Sequence, residues 1–358
     1  MEDHCETTWF SLPHEIAEII LSMAFEGEIY PVTSVVCQFV CHRWKDLVAA
    51  VLLSDRSARC SKPVNFSIGA ASKGQLSLLK WARERRCPLK EEAFTAAAFD
   101  GNLEVLKWLK DKGCKWSLWG SDGPCGMAGK GGHIEVLKWL KEIGTWNNPF
   151  MEATASEAAA KAGHVEVLKW LLEEGTKLKY GWCCAAAAGG QLELLKWLRE
   201  IECPWDERTP SGAAEGGHLE VVKYLHENAC PFQSDVCTWA AKGGSLEVLI
   251  YLSHIGNAWN EKTFYAAAEG GHLEVVKFLH ENGCQWSEYA YSCAAERGRL
   301  DVIKFLKAVD KPWEATTASE IARKGAQGGH FEILKWLREI SNNPWEALKR
   351  QLEKTEVK

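Results

Sequence analysis

No stretch of this chain is apolar for long enough to cross a bilayer. The longest such runs, for example Leu47–Leu53, reach a fraction of the ~20 residues a spanning helix needs. The first eight residues are acidic and no long apolar run follows, so no secretory signal is read there. No Cys-x-x-Cys pair occurs among the fourteen cysteines, which removes the usual zinc spacing. His14 and Glu15 do not extend to a zinc-protease His-Glu-x-x-His, and no phosphate-cradling glycine loop, Gly-x-Ser-x-Gly elbow or kinase signature is present. Basic tracts are missing too: residues 1–60 hold nine acidic and four basic side chains, and over the rest of the chain the two signs nearly cancel. A nucleic-acid backbone therefore finds no positive surface to neutralise. These gaps predict a soluble intracellular protein, cytoplasmic or nuclear, that is not an enzyme and needs no cofactor or metal. They also predict a monomer that binds neither nucleic acid nor membrane.

What the chain has in abundance is repetition. A glycine returns ten times between Gly74 and Gly329, at intervals of 27 or 31 residues, and each time opens nearly the same phrase, as in GHLEVVKFLHENG at residues 271–283. Periods of this length mark a solenoid of stacked supersecondary units. Seven residues after the glycine the residue is always aromatic: Trp81, Trp108, Trp139, Trp170, Trp197, Tyr224, Tyr251, Phe278, Phe305 and Trp336. Apolar residues two, four, five and eight places on wrap most of a helix, so the phrase predicts an almost wholly buried helix with the aromatic in its core. On that reading Trp197→Ala costs roughly 3–5 kcal/mol. The remaining stripe of Glu and Lys, such as Glu193 and Lys196, is left for solvent.

Before each glycine lies a shorter helical segment with an alanine pair, as at Ala213 and Ala214, small enough to let helix backbones approach closely. Between units the text often reads Cys-Pro-Trp or a variant, as at Cys203, Pro204 and Trp205; the proline stops a helix and the large apolar residue packs under the next unit. Five cysteines (Cys87, Cys114, Cys203, Cys230, Cys284) stand thirteen residues after the glycine, where they are expected to serve as small buried apolar residues in a reducing compartment. His133, His164, His218, His272 and His330 each follow the repeat glycine and are read as scaffold. Three units are four residues longer, over 114–131, 145–162 and 310–328; in the first, the text WSLWGSDGPCGMAGKGG at residues 116–132, with six glycines and a proline, predicts an irregular turn.

This text resembles ankyrin repeats, whose second helix commonly begins GHLEVVKLLL after a first helix ending in an alanine pair. The resemblance covers about residues 62–346. The units are six residues shorter than the usual 33, the difference falling at the family's projecting finger, and the family's Thr-Pro-Leu-His is reduced to Thr209 and Pro210. The first sixty residues do not follow the repeat. Leu12, Pro13, Glu15, Ile16 and Ile20, followed after a gap by Val40, Cys41, Arg43, Trp44 and Leu47, resemble an F-box. That family is a small helical module that binds the adaptor of cullin–RING ubiquitin ligases, which assigns adaptor contacts to Leu12, Pro13, Ile16, Ile20, Val40, Trp44 and Leu47. The alternative is a plain helical cap over the first repeat, which every solenoid requires.

The expectation is thus an all-α solenoid of about ten stacked helix-turn-helix repeats: an F-box-like domain at 1–61, the array at 62–346, and a cap or tail at 347–358. It captures a target protein for a ligase or, with the N-terminal helices only a cap, serves as a non-catalytic scaffold or anchor. In the ankyrin family the residues between the alanine pair and the glycine line the concave side. Here that implies target contacts at Phe99, Lys130, Lys161, Glu215, Lys242, Glu269 and Glu296, apolar and basic at first and mainly acidic later. Ordinary solvated charges would read the same way.

Overall fold

The structure is a computed structural model that describes residues 66–84, 89–116, 123–146, 149–309 and 315–340. Every regular element among them is an α-helix, and the helices come as hairpins in a repeat, solenoid-like packing. The adaptor residues expected at Leu12, Pro13, Ile16, Ile20, Val40, Trp44 and Leu47 lie outside the described residues. The chain divides into two compact units, one ending at Thr176 and the other beginning at Lys177.

The first unit holds α1 (Phe66–Ser72), α2 (Leu76–Glu84), α3 (Glu91–Phe99), α4 (Leu103–Asp111), α5 (Pro124–Gly131), α6 (Ile134–Glu142), α7 (Pro149–Ala162) and α8 (Val165–Glu173). The second holds α9 (Tyr180–Ala188), α10 (Leu192–Glu200), α11 (Arg208–Glu215), α12 (Leu219–Glu227), α13 (Val236–Gly243), α14 (Leu246–His254), α15 (Glu261–Gly270), α16 (Leu273–Glu281), α17 (Tyr289–Glu296), α18 (Leu300–Val309), α19 (Ala315–Gln327) and α20 (Phe331–Ile340). Odd-numbered helices are the first of each hairpin. Within a unit they stack side by side on one another, each also closing on its own even-numbered partner.

The core follows the repeat phrase with one exception. Residues four, five and eight places after the glycine, such as Val105, Leu106 and Leu109, are buried except for the half-buried Leu334, and the alanine pairs are buried as well. The aromatic at seven places is not core. Trp170 is buried, but Trp108, Trp139, Trp197, Tyr224, Tyr251, Phe278, Phe305 and Trp336 are half-exposed. The seventh place lies on the flank of the helix, and its ring meets the aromatic of the loop that enters its own hairpin or the preceding repeat's cation. Trp205 meets Tyr224 and Trp259 meets Phe278 edge to face, while Lys110 and Lys307 sit over Trp139 and Trp336. Truncating Trp197 therefore removes less burial than a core tryptophan would.

In seven of the repeats the residue after the glycine sews neighbouring repeats together. Nε2 of His133, His164, His218, His272 and His330 lies 2.8–3.3 Å from the carbonyl of Phe99, Lys130, Ala188, Lys242 and Glu296 respectively, in the last turn of the preceding first helix. A carbonyl only accepts, so each ring carries its proton on Nε2. Asn102 and Arg299 make the same contact with Ser72 and Glu269. The ring lies against the preceding repeat glycine: at Gly244 a Cβ would overlap the His272 imidazole, and φ of +77° also demands glycine.

Two of the three longer repeats resolve into longer first helices. α7 and α19 run 14 and 13 residues, against 7–10 for the other first helices, so four added residues amount to about one more turn. The glycine-rich text of the first long unit is in part a correction: residues 124–131 form α5 rather than an irregular turn, while 117–122 lie outside the described residues. Pro124 opens the helix at its first position, and Gly129 lets the backbone of Ala155 on α7 approach where any Cβ would collide with its carbonyl. Close packing outweighs poor helix propensity here.

A second left-handed position closes the second helices from α4 to α16. Glycine fills it at 113, 144, 175, 256 and 283, but Glu202 and Ala229 occupy it with φ of +60° and +56°. A side chain in this conformation costs roughly 1–2 kcal/mol, partly offset by glycine's greater freedom in the unfolded chain. Glu202→Gly and Ala229→Gly are each expected to raise stability by about 0.5–1 kcal/mol, read as a shift of the urea midpoint at constant slope.

Candidate interaction face

The cysteines of the repeat are structural. Cys114, Cys203, Cys230 and Cys284 are buried, and each thiol faces the carbonyl 24 residues earlier, Lys90, Lys179, Asp206 and Asn260, at the entrance of the same hairpin's first helix. Burial pushes the Cys230 thiol up to about 12 and Cys284 to about 11, which leaves almost no thiolate at neutral pH. All nine described cysteines are free, and no cluster of metal-ligating side chains occurs among the described residues. Nor is any helix among them long and apolar enough to cross a membrane.

The two helices of a hairpin present different surfaces. Second helices repeat one ion pair almost without change: Glu104 with Lys107, Glu135 with Lys138, Glu166 with Lys169, Glu193 with Lys196, Glu220 with Lys223 and Glu274 with Lys277, all within 3.0 Å and solvent-exposed. Such pairs contribute a few tenths of a kcal/mol and read the same at every step. First helices vary. In the last turn of successive first helices stand Phe99, Lys130 and Lys161 in the first unit and Glu215, Lys242, Glu269 and Glu296 in the second; all are exposed except the half-exposed Glu269.

Within each unit the structure brings neighbours of this row together. The Lys130 ammonium lies 5.7 Å from the centre of the Phe99 ring, whose residue is 37% exposed. In the second unit Glu215 meets Lys242 at 3.0 Å, Glu269 receives Arg297 at 2.8 Å, and Glu296 receives Lys324 at 2.8 Å. Lys324 holds the Glu296 carboxyl below the usual carboxylate range. The acidic run expected from the sequence is thus matched, carboxylate by carboxylate, by cations of the following repeat.

A second set of carboxylates was not singled out from the sequence. Glu207, Asp235, Glu261 and Glu288 stand at the N-terminal ends of α11, α13, α15 and α17, nine or ten residues before the repeat glycine. Their recurrence as acids in four consecutive repeats is the signal that could have found them. Around them Tyr180 and Tyr289 are 50% and 61% exposed, Tyr289 meets Tyr265 edge to face at 5.1 Å, and Arg208 lies 4.8 Å from the Tyr180 ring while gripping Asp206 through Nε and Nη2.

A family model described as ankyrin repeats, in three copies, matches residues 93–181. This stretch runs from α3 to the start of α9, three successive hairpins of the kind described above and the opening residues of a fourth. No curated protein matches the chain. Among solved structures, the pentatricopeptide repeat protein PPR10 in complex with an 18-nt psaJ RNA element is similar at 13% identity and a TM-score of 0.33, over 93% of this chain and 57% of that one. The structure of PPR10 from maize gives 14% identity and a TM-score of 0.30, over 92% and 62%. The chain spans less than two thirds of the length of these proteins, and at such scores the helical-repeat class rests on the chain's own packing.

Proposed function

We propose that this chain is a protein-recognition subunit without chemistry of its own: its repeats grip a target through their first helices, and residues 8–60 tie that target to a cullin–RING ubiquitin ligase. The observation that carries the recognition reading is the contrast between the two helix sets. A surface that repeats the same Glu–Lys pair cannot distinguish partners, whereas the first-helix row, running Phe99, Lys130, Lys161, Glu215, Lys242, Glu269 and Glu296, differs from step to step. Exposed aromatics beside charges, as at Phe99 with Lys130 and Tyr180 with Arg208, supply the anchor type that dominates protein interfaces.

Support for the ligase link is sequence text alone, Leu12-Pro13 with Ile16 and Ile20, then Val40 to Trp44 with Leu47. Replacing Leu12 and Pro13 together by alanine, or Ile16 and Ile20, is expected to abolish co-purification of adaptor and cullin from the native cell while leaving the helical circular dichroism and melting of the chain unchanged. Recovery of neither adaptor nor cullin with the unaltered chain would leave the repeats as a scaffold and end the ligase reading.

A further inference from the structure

The N-terminal edge of the second unit's first helices carries four carboxylates that form no ion pair among the described residues. Three of its four carboxylates, Glu207, Asp235 and Glu288, occupy the position preceding a helix where a side chain would ordinarily cap it, yet none makes a capping hydrogen bond. Glu261 follows Asn260, which performs the capping itself by accepting from the Lys262 and Thr263 amides. Each carboxylate instead accepts from a neutral donor: Glu207 from Gln233 Nε2 at 3.1 Å, Asp235 from the Trp239 indole at 3.2 Å, Glu288 from Thr317 at 2.8 Å, and Glu261 from the Tyr265 hydroxyl. All four are exposed. The contrast with the last-turn row is direct, because Glu215, Glu269 and Glu296 each hold a cation.

The edge is continuous. Arg208 over Tyr180 links the hairpins of α9 and α11, Gln233 reaches Glu207 and comes within 3.5 Å of Ser211, Thr238 meets Thr263 at 3.1 Å, and Tyr265 meets Ser287 at 2.6 Å. Beside the four carboxylates stand Tyr180, Trp239, Tyr265 and Tyr289; Arg208 and Lys242 already lie over the first two rings, at 4.8 and 4.7 Å, and the 61% exposed Tyr289 ring is left to attract a cation on its face.

We infer that this edge is a docking surface for an extended polypeptide segment carrying Lys or Arg at every third residue. The charge is complementary, since ionised carboxylates without a cation gain most from an incoming one. The spacing follows from two standard dimensions. Packed helices stand roughly 8–10 Å apart, and an extended chain advances about 3.3 Å per residue, so one carboxylate meets every third side chain. This inference rests on the recognition role proposed above and specifies the partner's chemistry.

The test uses the full chain and two fluorescein-labelled peptides of identical composition, four Arg-Gly-Ser triplets in series and a block of four arginines followed by the glycines and serines. Fluorescence anisotropy is expected to show the periodic peptide binding several-fold tighter than the block, with an affinity that falls as salt rises. Combining Glu207→Gln, Asp235→Asn, Glu261→Gln and Glu288→Gln should weaken it at least about tenfold and abolish the preference. A control that removes four carboxylates of the second helices in the same unit, Glu193→Gln, Glu220→Gln, Glu247→Gln and Glu274→Gln, should retain the preference. Tyr289→Ala, at an exposed ring, should weaken binding without changing the salt slope. Melting followed by circular dichroism establishes that the variants are folded; should the quadruple variant not fold, the Glu261→Gln/Glu288→Gln pair serves in its place, with a smaller expected loss. Equal binding of the two peptides, no binding of either, or equal loss in the control would overturn the inference. A cellular target still held by the quadruple variant would leave the recognition role standing and remove this surface from it; a chain that holds no target at all would fail the recognition role itself.

Discussion

Replacing Phe264 by alanine is expected to destabilise the second unit by about 3–5 kcal/mol, the range for deleting a large buried aromatic. Phe264 is wholly buried on α15, and its ring is stacked on Trp286 with centroids 5.3 Å apart and planes 5° from parallel. Trp286 in turn meets Tyr291 of the next first helix and His280 of the preceding second helix, so the vacated space lies where two repeats join. Repeat proteins share such a loss with their neighbours, because stability is a sum of units and interfaces. Urea unfolding followed by far-ultraviolet circular dichroism reads the effect as a drop in midpoint. A variant as stable as the parent would show that the Phe264 side chain is not packed as described.

Gly243→Ala carries the other large expected effect, about 3 kcal/mol from overpacking. The glycine ends α13 beside the last turn of α11, and a methyl group there would overlap the carbonyl oxygen, carbon and Cα of Glu215, none of which can swing aside as a side chain would. Gly256→Ala makes the informative comparison. Its Cβ would meet nothing within 4 Å, but its φ of +92° leaves a conformational cost of about 1–2 kcal/mol. Denaturation of the two variants side by side separates close approach from backbone strain: the first should be clearly the less stable, and equal stabilities would contradict the helix spacing described.

Much of the architecture was legible because the repeat lays out its physics ten times. The apolar places four, five and eight after the glycine, the alanine pairs, the structural histidines and the buried cysteines all follow from spacing and side-chain size. The aromatic ladder misled, since periodicity shows which residues share a helix side but not how far the neighbouring repeat extends over it; Trp197 falls at that margin. α5 was hidden because glycine and proline are local signals, while the need for Gly129 comes from α7, more than twenty residues away. At the candidate site, the last-turn row could be read as positions but not as pairs. Glu215 with Lys242, Glu269 with Arg297, and Glu296 with Lys324 lie 27 or 28 residues apart, one repeat, and only stacking brings them together. The edge carboxylates were visible as recurring acids, yet their neutral partners, such as Gln233 for Glu207, come from the adjoining repeat.

The most direct measurement of the recognition role places a photo-crosslinking benzoylphenylalanine on each helix set in turn. Phe99 and Tyr289 represent the first helices of the two units; Lys138 and Lys277 represent the second helices. After irradiation of the native cell, Phe99 and Tyr289 should yield crosslinks to the same partner protein, and Lys138 and Lys277 should yield none. Crosslinks to that partner from Lys138 and Lys277, with none from Phe99 and Tyr289, would contradict the assignment of recognition to the first helices.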